Sequence, residues 1–394
     1  MADLEIPGKT HGVGVFLELR KRLESGLLIV GKDVASSPAD VVVTGGESSL
    51  HIKTPRGELS LTLPAGVNYE RGSCIPTPAG ESCGEELHFR LRIGVSRHPD
   101  EEASDSVMQT LRPKETYCFH CQGCMTRLLE DREFKRVLPL PNGNWNAIVD
   151  DWCCHPDPFI KKLLPRADDC LLGDTFLLLV KDGGCAQTLT EEASSGDSED
   201  SQDSKKPCQR LRLISCKSCS LVLGEAVAPE TLKLYITQVV VEPTVGDREA
   251  EASLKRSLFV EQTVAARLLG LSSSLSTFHF SVQTPDGKAF LLVWLLNSDS
   301  LTASVPGLSV GASGFDSPSP RAARSLKLLY ASCSDTGPQQ RDIVASWEAN
   351  AIGHPMVLPL NVCEELLQVI EDSNSTLPAS MRCMRSYEVA YLRL

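Results

Sequence analysis

Two short cysteine turns constrain this chain more than any other feature. Cys121-Gln122-Gly123-Cys124 is followed by Met125-Thr126-Arg127-Leu128-Leu129, and Cys216-Lys217-Ser218-Cys219 by Ser220-Leu221-Val222-Leu223-Gly224. Each reads as a knuckle leading into an apolar, strand-like run. Such a turn can present two sulfurs to one ion while its backbone amides donate to them, and zinc takes four thiolates in a tetrahedron. The two turns together therefore make one closed site from Cys121, Cys124, Cys216 and Cys219. Any fold must bring together turns separated by roughly 90 residues, a longer gap than in compact ribbons but one that insertions can fill. The competing readings are two unrelated thiol pairs or a redox motif, although a thioredoxin-like motif expects a single Cys-x-x-Cys opening a helix. Cys118 and His120 lie near enough in sequence to substitute as ligands. With four thiolates no coordination position stays open, so the metal is expected to be structural.

Composition narrows the setting. The chain carries 15 cysteines, an odd total, and in a reducing compartment such thiols are zinc ligands, buried small hydrophobes or nucleophiles rather than disulfides. Its net charge of −12 argues against a nucleic-acid surface, since phosphate contacts need clustered Lys and Arg. Six carboxylates between Glu191 and Asp203, with no base among them, supply half of that charge. No stretch approaches the roughly 20 apolar residues of a membrane span. The best run, Phe290 to Leu296, suits a buried strand. Asp3 and Glu5 stand where a signal peptide would carry basic residues. A cytoplasmic or nuclear protein, with neither a membrane nor a direct nucleic-acid partner, is expected.

The 394 residues are enough for two or three parts, each burying its own core, and the pattern predicts an α+β protein. In 1–98, short β-rich runs separated by turn signals predict an antiparallel N-terminal β-domain. The runs are Val13–Glu18, Leu27–Gly31, Val41–Thr44, Leu50–Lys53, Leu59–Leu63 and Leu87–Ile93. Every second residue of Leu87–Ile93 is apolar, as in a strand with one wet face. A polar linker follows at 99–115. Residues 116–240 hold both knuckles and predict a zinc-stabilised, β-rich middle domain. An acidic, Ser-rich segment at 186–207 interrupts it, with too little apolar surface to offset the entropy of ordering, and reads as a disordered loop. Residues 241–394 predict a mixed α/β C-terminal part. It would contain an amphipathic helix near Leu258–Leu271 and strands Phe278–Gln283 and Ala289–Leu296. A flexible Ser/Gly/Pro loop at 302–323, a helix from Asn361 to about Asp372 and a strand Ser386–Leu394 complete it.

A second cysteine cluster lies between the knuckles, in Trp152-Cys153-Cys154-His155-Pro156-Asp157-Pro158-Phe159. The Pro-Asp-Pro run forbids a helix beyond His155, so the triplet sits in a turn. Three readings stay open: a second metal site using one cysteine with His155, packing thiols beneath Trp145 and Trp152, or a displayed thiolate that binds a partner.

Taken together, this segment, the preceding Arg136-Val137-Leu138-Pro139-Leu140-Pro141, both knuckles, and Leu292-Val293-Trp294-Leu295-Leu296-Asn297-Ser298-Asp299-Ser300-Leu301 resemble the HECT-like ubiquitin ligase E3D family over nearly the whole chain. The resemblance implies a ligase that accepts ubiquitin from a cell-cycle ubiquitin-conjugating enzyme and passes it to substrates such as cyclin B, or to itself. It also implies a second role for 136–159, which is similar to a BRAT-type motif. Such a motif would bind and inhibit, or chaperone, the metallo-β-lactamase-fold endonuclease of the pre-mRNA cleavage and polyadenylation machinery. Cys154 is then the implied contact to that enzyme's zinc ions, flanked by Cys153 and His155. The segment around 243–266 would dock the conjugating enzyme, and it departs most from the family pattern.

HECT-type transfer passes ubiquitin through a thioester on a cysteine near the C-terminus. The candidate is Cys363, in Leu358-Pro359-Leu360-Asn361-Val362-Cys363-Glu364-Glu365-Leu366-Leu367, where the Leu-Pro and the following leucines are similar to the family and Val362 replaces the usual Thr. Cys363, Leu366, Leu367 and Ile370 also follow the spacing of one apolar helical face. Nucleophile and packing residue are therefore both open. Cys383, between Arg382 and Arg385, has more electropositive surroundings but does not fall at the family's position.

Overall fold

The computed structural model describes residues 14–46, 48–78, 85–96, 110–140, 164–193, 212–244, 255–305, 320–334, 337–350 and 352–394. The fold is α+β and mostly sheet. Two compact units divide the chain: Met1–Ala103 with Leu291–Gly353 and Leu367–Leu394, and Ser104–Phe290 with His354–Leu366. They cut across the three sequential parts drawn above, because strands far apart in sequence pair within one sheet.

In the first unit the sheet runs Cys383–Met384, Tyr387–Arg393, Ala323–Ser332, residues 291–305 of Ala289–Val305, Val15–Arg20, Ser25–Gly31, Glu86–Val95 and Val67–Tyr69, with Ile75–Thr77 also on Glu86–Val95. Leu17 sits opposite both Leu28 and Ala303. Alternation along these strands sorts the side chains onto two faces. Leu17, Leu19, Leu28, Val30, Leu91 and Ile93 share a core with Leu50, Ile52 and Leu61 of a separate three-stranded sheet, Val42–Gly46, Ser49–Thr54 and Gly57–Thr62. Phe16, Ile29, Leu329, Val389 and Tyr391 pack on the other face. Charge is buried there too: Glu18 is 1% exposed and accepts from Lys327 Nζ at 3.2 Å. The helix Pro338–Ala349 packs Ile343 and Trp347 against Leu292 and Ala331.

In the second unit seven strands run Arg136–Pro139, Asp169–Leu172, Phe176–Val180, Thr231–Tyr235, Val222–Ala228, Arg212–Cys216 and Leu189–Ala193, antiparallel except for the first pair. A three-stranded sheet, Arg132–Glu133, Thr116–Cys121 and Val239–Pro243, contributes Tyr117 and Phe119, with Phe134 just after its first strand, to the same core as Leu177, Leu179, Leu232 and Leu234. The helix Arg256–Leu275 and the parallel pair His279–Gln283 and His354–Val357 follow. Helix Leu360–Ser375 begins in this unit and its chain continues into the first. No helix among the described residues is long and apolar enough to cross a membrane.

Several segments differ from the sequence reading. The start of the acidic segment read as disorder, 186–207, is ordered: residues 186–193 lie in helix Cys185–Thr188 and strand Leu189–Ala193, because Leu189 is buried and pairs with Cys216. The ends of 302–323 are also regular. Residues 302–305 extend Ala289–Val305, with Leu301 and Ala303 buried against Val15–Arg20, and Ala323 opens the next strand. Leu111, placed in the linker, is buried. The helix around Cys363 starts at Leu360, one residue before Asn361, with Pro359 O accepting from the amides of Val362 and Cys363.

Candidate functional site

The two knuckles have the same local structure. Cys121 and Cys216 each end a strand and are fully buried, whereas Cys124 and Cys219 are exposed. In the first knuckle the Cys121 amide donates to Thr126 O and the Met125 amide to Cys121 O; in the second the Cys216 amide donates to Leu221 O and the Ser220 amide to Cys216 O, all at 2.8 Å. The residue after the second cysteine is left-handed in both, Met125 at φ 56° and Ser220 at φ 61°. That conformation is uncommon outside glycine, and here the hydrogen bonds that close each turn hold it.

Strands of two different sheets bring the turns together. Strand Thr116–Cys121 pairs with Val239–Pro243, while Arg212–Cys216 leads through its turn into Val222–Ala228. All four sulfurs lie within 4.8 Å of one another. Cys121 Sγ is 3.6 Å from Cys219 Sγ, and Cys124 Sγ is 3.7 Å from Cys216 Sγ. A tetrahedral zinc site with Zn–S of about 2.3 Å has sulfurs about 3.8 Å apart, so the donor set fits such an ion in number, type and spacing. These thiols are free rather than paired as disulfides. Gly123 belongs to the packing, since a Cβ there would come within 3.2 Å of Leu221 and 3.6 Å of Cys219 Sγ. Burial pushes the Cys121 thiol up. Burial also acts to raise Cys124, but hydrogen bonds with Thr126, Cys219 and Cys216 outweigh it and bring that thiol down to about 6.

Cys118 and His120 do not join the centre. Among the described residues the one metal-capable cluster consists of the four knuckle cysteines. Strand alternation explains this: Tyr117, Phe119 and Cys121 point into the core, and Cys118 and His120 point to the other side. His120 Nδ1 is buried there without a hydrogen-bond partner. Burial raises the Cys118 thiol, with Asp131 adding to the effect.

Cys363 lies in the first turn of helix Leu360–Ser375 with no exposed surface, on one face with Leu366 and Ile370. Its Sγ faces Leu358 O at 3.6 Å. Burial, reinforced by the charge of Glu364, pushes the thiol up to about 12. Cys383 is exposed. Cys153, Cys154 and His155 lie outside the described residues, and of the 136–159 segment the strand Arg136–Pro139 is described. Arg136 makes a two-point pair with Asp169, at 2.8 and 2.6 Å.

Sequence reasoning missed Arg256, the first residue of its helix. All five guanidinium N–H groups find acceptors. Nε donates to Glu365 Oε2 at 2.7 Å, and the terminal nitrogens donate to Gln122 Oε1 at 2.7 Å, Thr237 O at 2.6 Å, Gln238 Oε1 at 2.9 Å and Glu365 Oε1 at 3.4 Å. Gln122 stands between the two cysteines of the first knuckle, and Glu365 is two residues beyond Cys363. A lone arginine opening an amphipathic helix carries no such signal in sequence.

A family model described as HECT-like ubiquitin-conjugating enzyme (E2)-binding matches residues 18–389. The mouse E3 ubiquitin-protein ligase E3D is 36% identical over 389 residues, covering 96% of this chain and 98% of its own. The bovine protein of that name is 37% identical over 398 residues and the human one 35% over 392, with the same shares covered. No solved structure matches the chain. With relatives of this similarity along nearly its full length, the chain belongs to the HECT-like, E2-binding family of E3 ubiquitin-protein ligases E3D.

Proposed function

We propose that the protein is a ubiquitin-protein ligase that engages a ubiquitin-conjugating enzyme and promotes transfer of its ubiquitin to acceptor amines. The observation that carries this reading is the match of the E2-binding family over residues 18–389. The four-cysteine centre is proposed to hold zinc. Bound there, the ion supplies a cross-link between two strands' ends and no reaction step, since four thiolates fill its coordination sphere. The chain's own knuckle hydrogen bonds orient the sulfurs for it.

The finer reading is a thioester relay through Cys363. Its thiolate would attack the carbonyl of the ubiquitin thioester on the conjugating enzyme, whose cysteine thiolate leaves, and an acceptor amine would then displace Cys363. The thiolate is the nucleophile, so the burial of Cys363 and its raised pKa mean that the first turn of the helix must open for this route. Direct aminolysis of the conjugating enzyme's thioester needs no such opening. A non-reducing gel of the full chain with charged conjugating enzyme separates the routes. A reducible ubiquitin adduct lost in Cys363→Ala supports the relay, and undiminished conjugation in Cys363→Ala supports direct transfer.

The partners that the resemblance adds belong to the same proposal: a cell-cycle conjugating enzyme, cyclin B as a substrate, and the polyadenylation endonuclease bound through Cys154, in a cytoplasmic or nuclear setting. A non-catalytic nuclease inhibitor is the rival, and it is favoured if the gel shows neither adduct nor conjugate.

A further inference from the structure

Cys363 is buried, and the side chain of Arg256 links the helix that carries it to the four-cysteine centre. Arg256 spends all its donors on two partners that matter for this site, Gln122 in the first knuckle and Glu365 on the Cys363 helix, and on the turn Thr237–Gln238 beneath them. Three of the acceptors are well shielded, Gln122 at 5% exposed, Thr237 at 1% and Gln238 at 0%, whereas the Glu365 side chain is 33% exposed. The Gln122 amide itself donates to Gln238 O at 3.1 Å, so the knuckle and the turn share one network.

We infer that Arg256 is a positioning residue that fastens the start of helix Leu360–Ser375 to the first knuckle, so that the state of the four-cysteine centre sets the accessibility of the Cys363 thiol. Gln122 lies between Cys121 and Cys124 and is held where closure of that turn puts it. When the centre opens, Gln122 Oε1 leaves the guanidinium, and the partly buried cation, its side chain 28% exposed, loses one of its charge-assisted hydrogen bonds. The weakened clasp on Glu365 then lets the first helical turn fray, a local opening of the kind that precedes global unfolding. For ubiquitin transfer this makes Arg256 the residue that keeps Cys363 closed while the centre is intact. That consequence rests on the ligase reading, whereas the clasp itself does not.

The test is alkylation of the full chain with iodoacetamide, followed site by site by peptide mass spectrometry, with and without a zinc chelator. Cys170, fully buried in the core of the same unit, reports opening of the unit as a whole. Arg256→Ala should raise Cys363 labelling by roughly tenfold or more while Cys170 stays protected. Arg256→Lys should give an intermediate rate, because an ammonium cannot fill a five-donor fork. Chelation should raise Cys363 labelling in the wild type and add nothing further in Arg256→Ala. If Arg256→Ala does not fold, Glu365→Gln loosens the same clasp from the helix side and should give the same selective increase. Cys363 protected in these variants, Cys363 and Cys170 rising together, or a chelator effect that persists undiminished without Arg256 would each overturn the inference. None of these readouts depends on ubiquitin, so failure here is separate from failure of the ligase reading.

Discussion

Cys121 Sγ and Cys219 Sγ lie 3.6 Å apart although 98 residues separate them. Sulfurs drawn this close from two distant turns have the number and spacing of ligands that could share one ion. Purified protein should therefore contain about one zinc per chain by elemental analysis. Cys216→Ser should lose it and cost more than about 3 kcal/mol of stability in the second unit, since metal binding free energy is folding free energy. Zinc retained at full stoichiometry in that variant would show that the four cysteines do not form one site.

The first unit has its own test. Lys327 Nζ reaches Glu18 at 3.2 Å, and Glu18 is shielded from water. Lys327→Met should cost about 3–5 kcal/mol in urea unfolding, because it leaves a buried carboxylate without its partner. The double variant Glu18→Gln, Lys327→Met should recover much of that loss, a coupling expected of residues in contact. Additive losses would place the stabilisation in packing around the two side chains instead.

Acid sensitivity should trace in part to Asp174. Its carboxylate lies 2.8 Å from His354 Nε2 and 3.2 Å from the guanidinium of Arg267. Burial acts to raise this carboxyl, but the hydrogen bonds and charge of His354 and Arg267 outweigh it and hold it below the ordinary 3.8. A group with a depressed folded pKa contributes stability that is complete above the unfolded value and is lost as pH falls through the folded one. Asp174→Asn should therefore cost about 1–3 kcal/mol near neutral pH. The gap to wild type should narrow as pH falls below 3.8. A gap constant across that range would show that the charge of Asp174 is not what stabilises the pair.

Much of the local structure was legible in sequence. The alternation of Leu87–Ile93 reappears as alternate burial along Glu86–Val95, and the matched contexts of the two knuckles reappear as matched hydrogen bonds. The spacing of Cys363, Leu366 and Ile370 marks a buried helical face. Long-range pairing was not legible, because a strand's sequence states its faces and not its neighbour. Glu18 and Ser300, 282 residues apart, meet in adjacent strands, and the unit boundary falls inside a strand that reads as continuous. Arg256 and Asp174 were missed for a related reason: a single charged residue looks solvated until the fold supplies its acceptors.

The most direct test of the central claim is the rate at which a charged ubiquitin-conjugating enzyme loses its ubiquitin to free lysine with and without the full chain. The ligase reading predicts that the protein accelerates discharge, with conjugates accumulating on protein amines. Discharge from a demonstrably charged donor that proceeds at the same rate with and without the protein would contradict it.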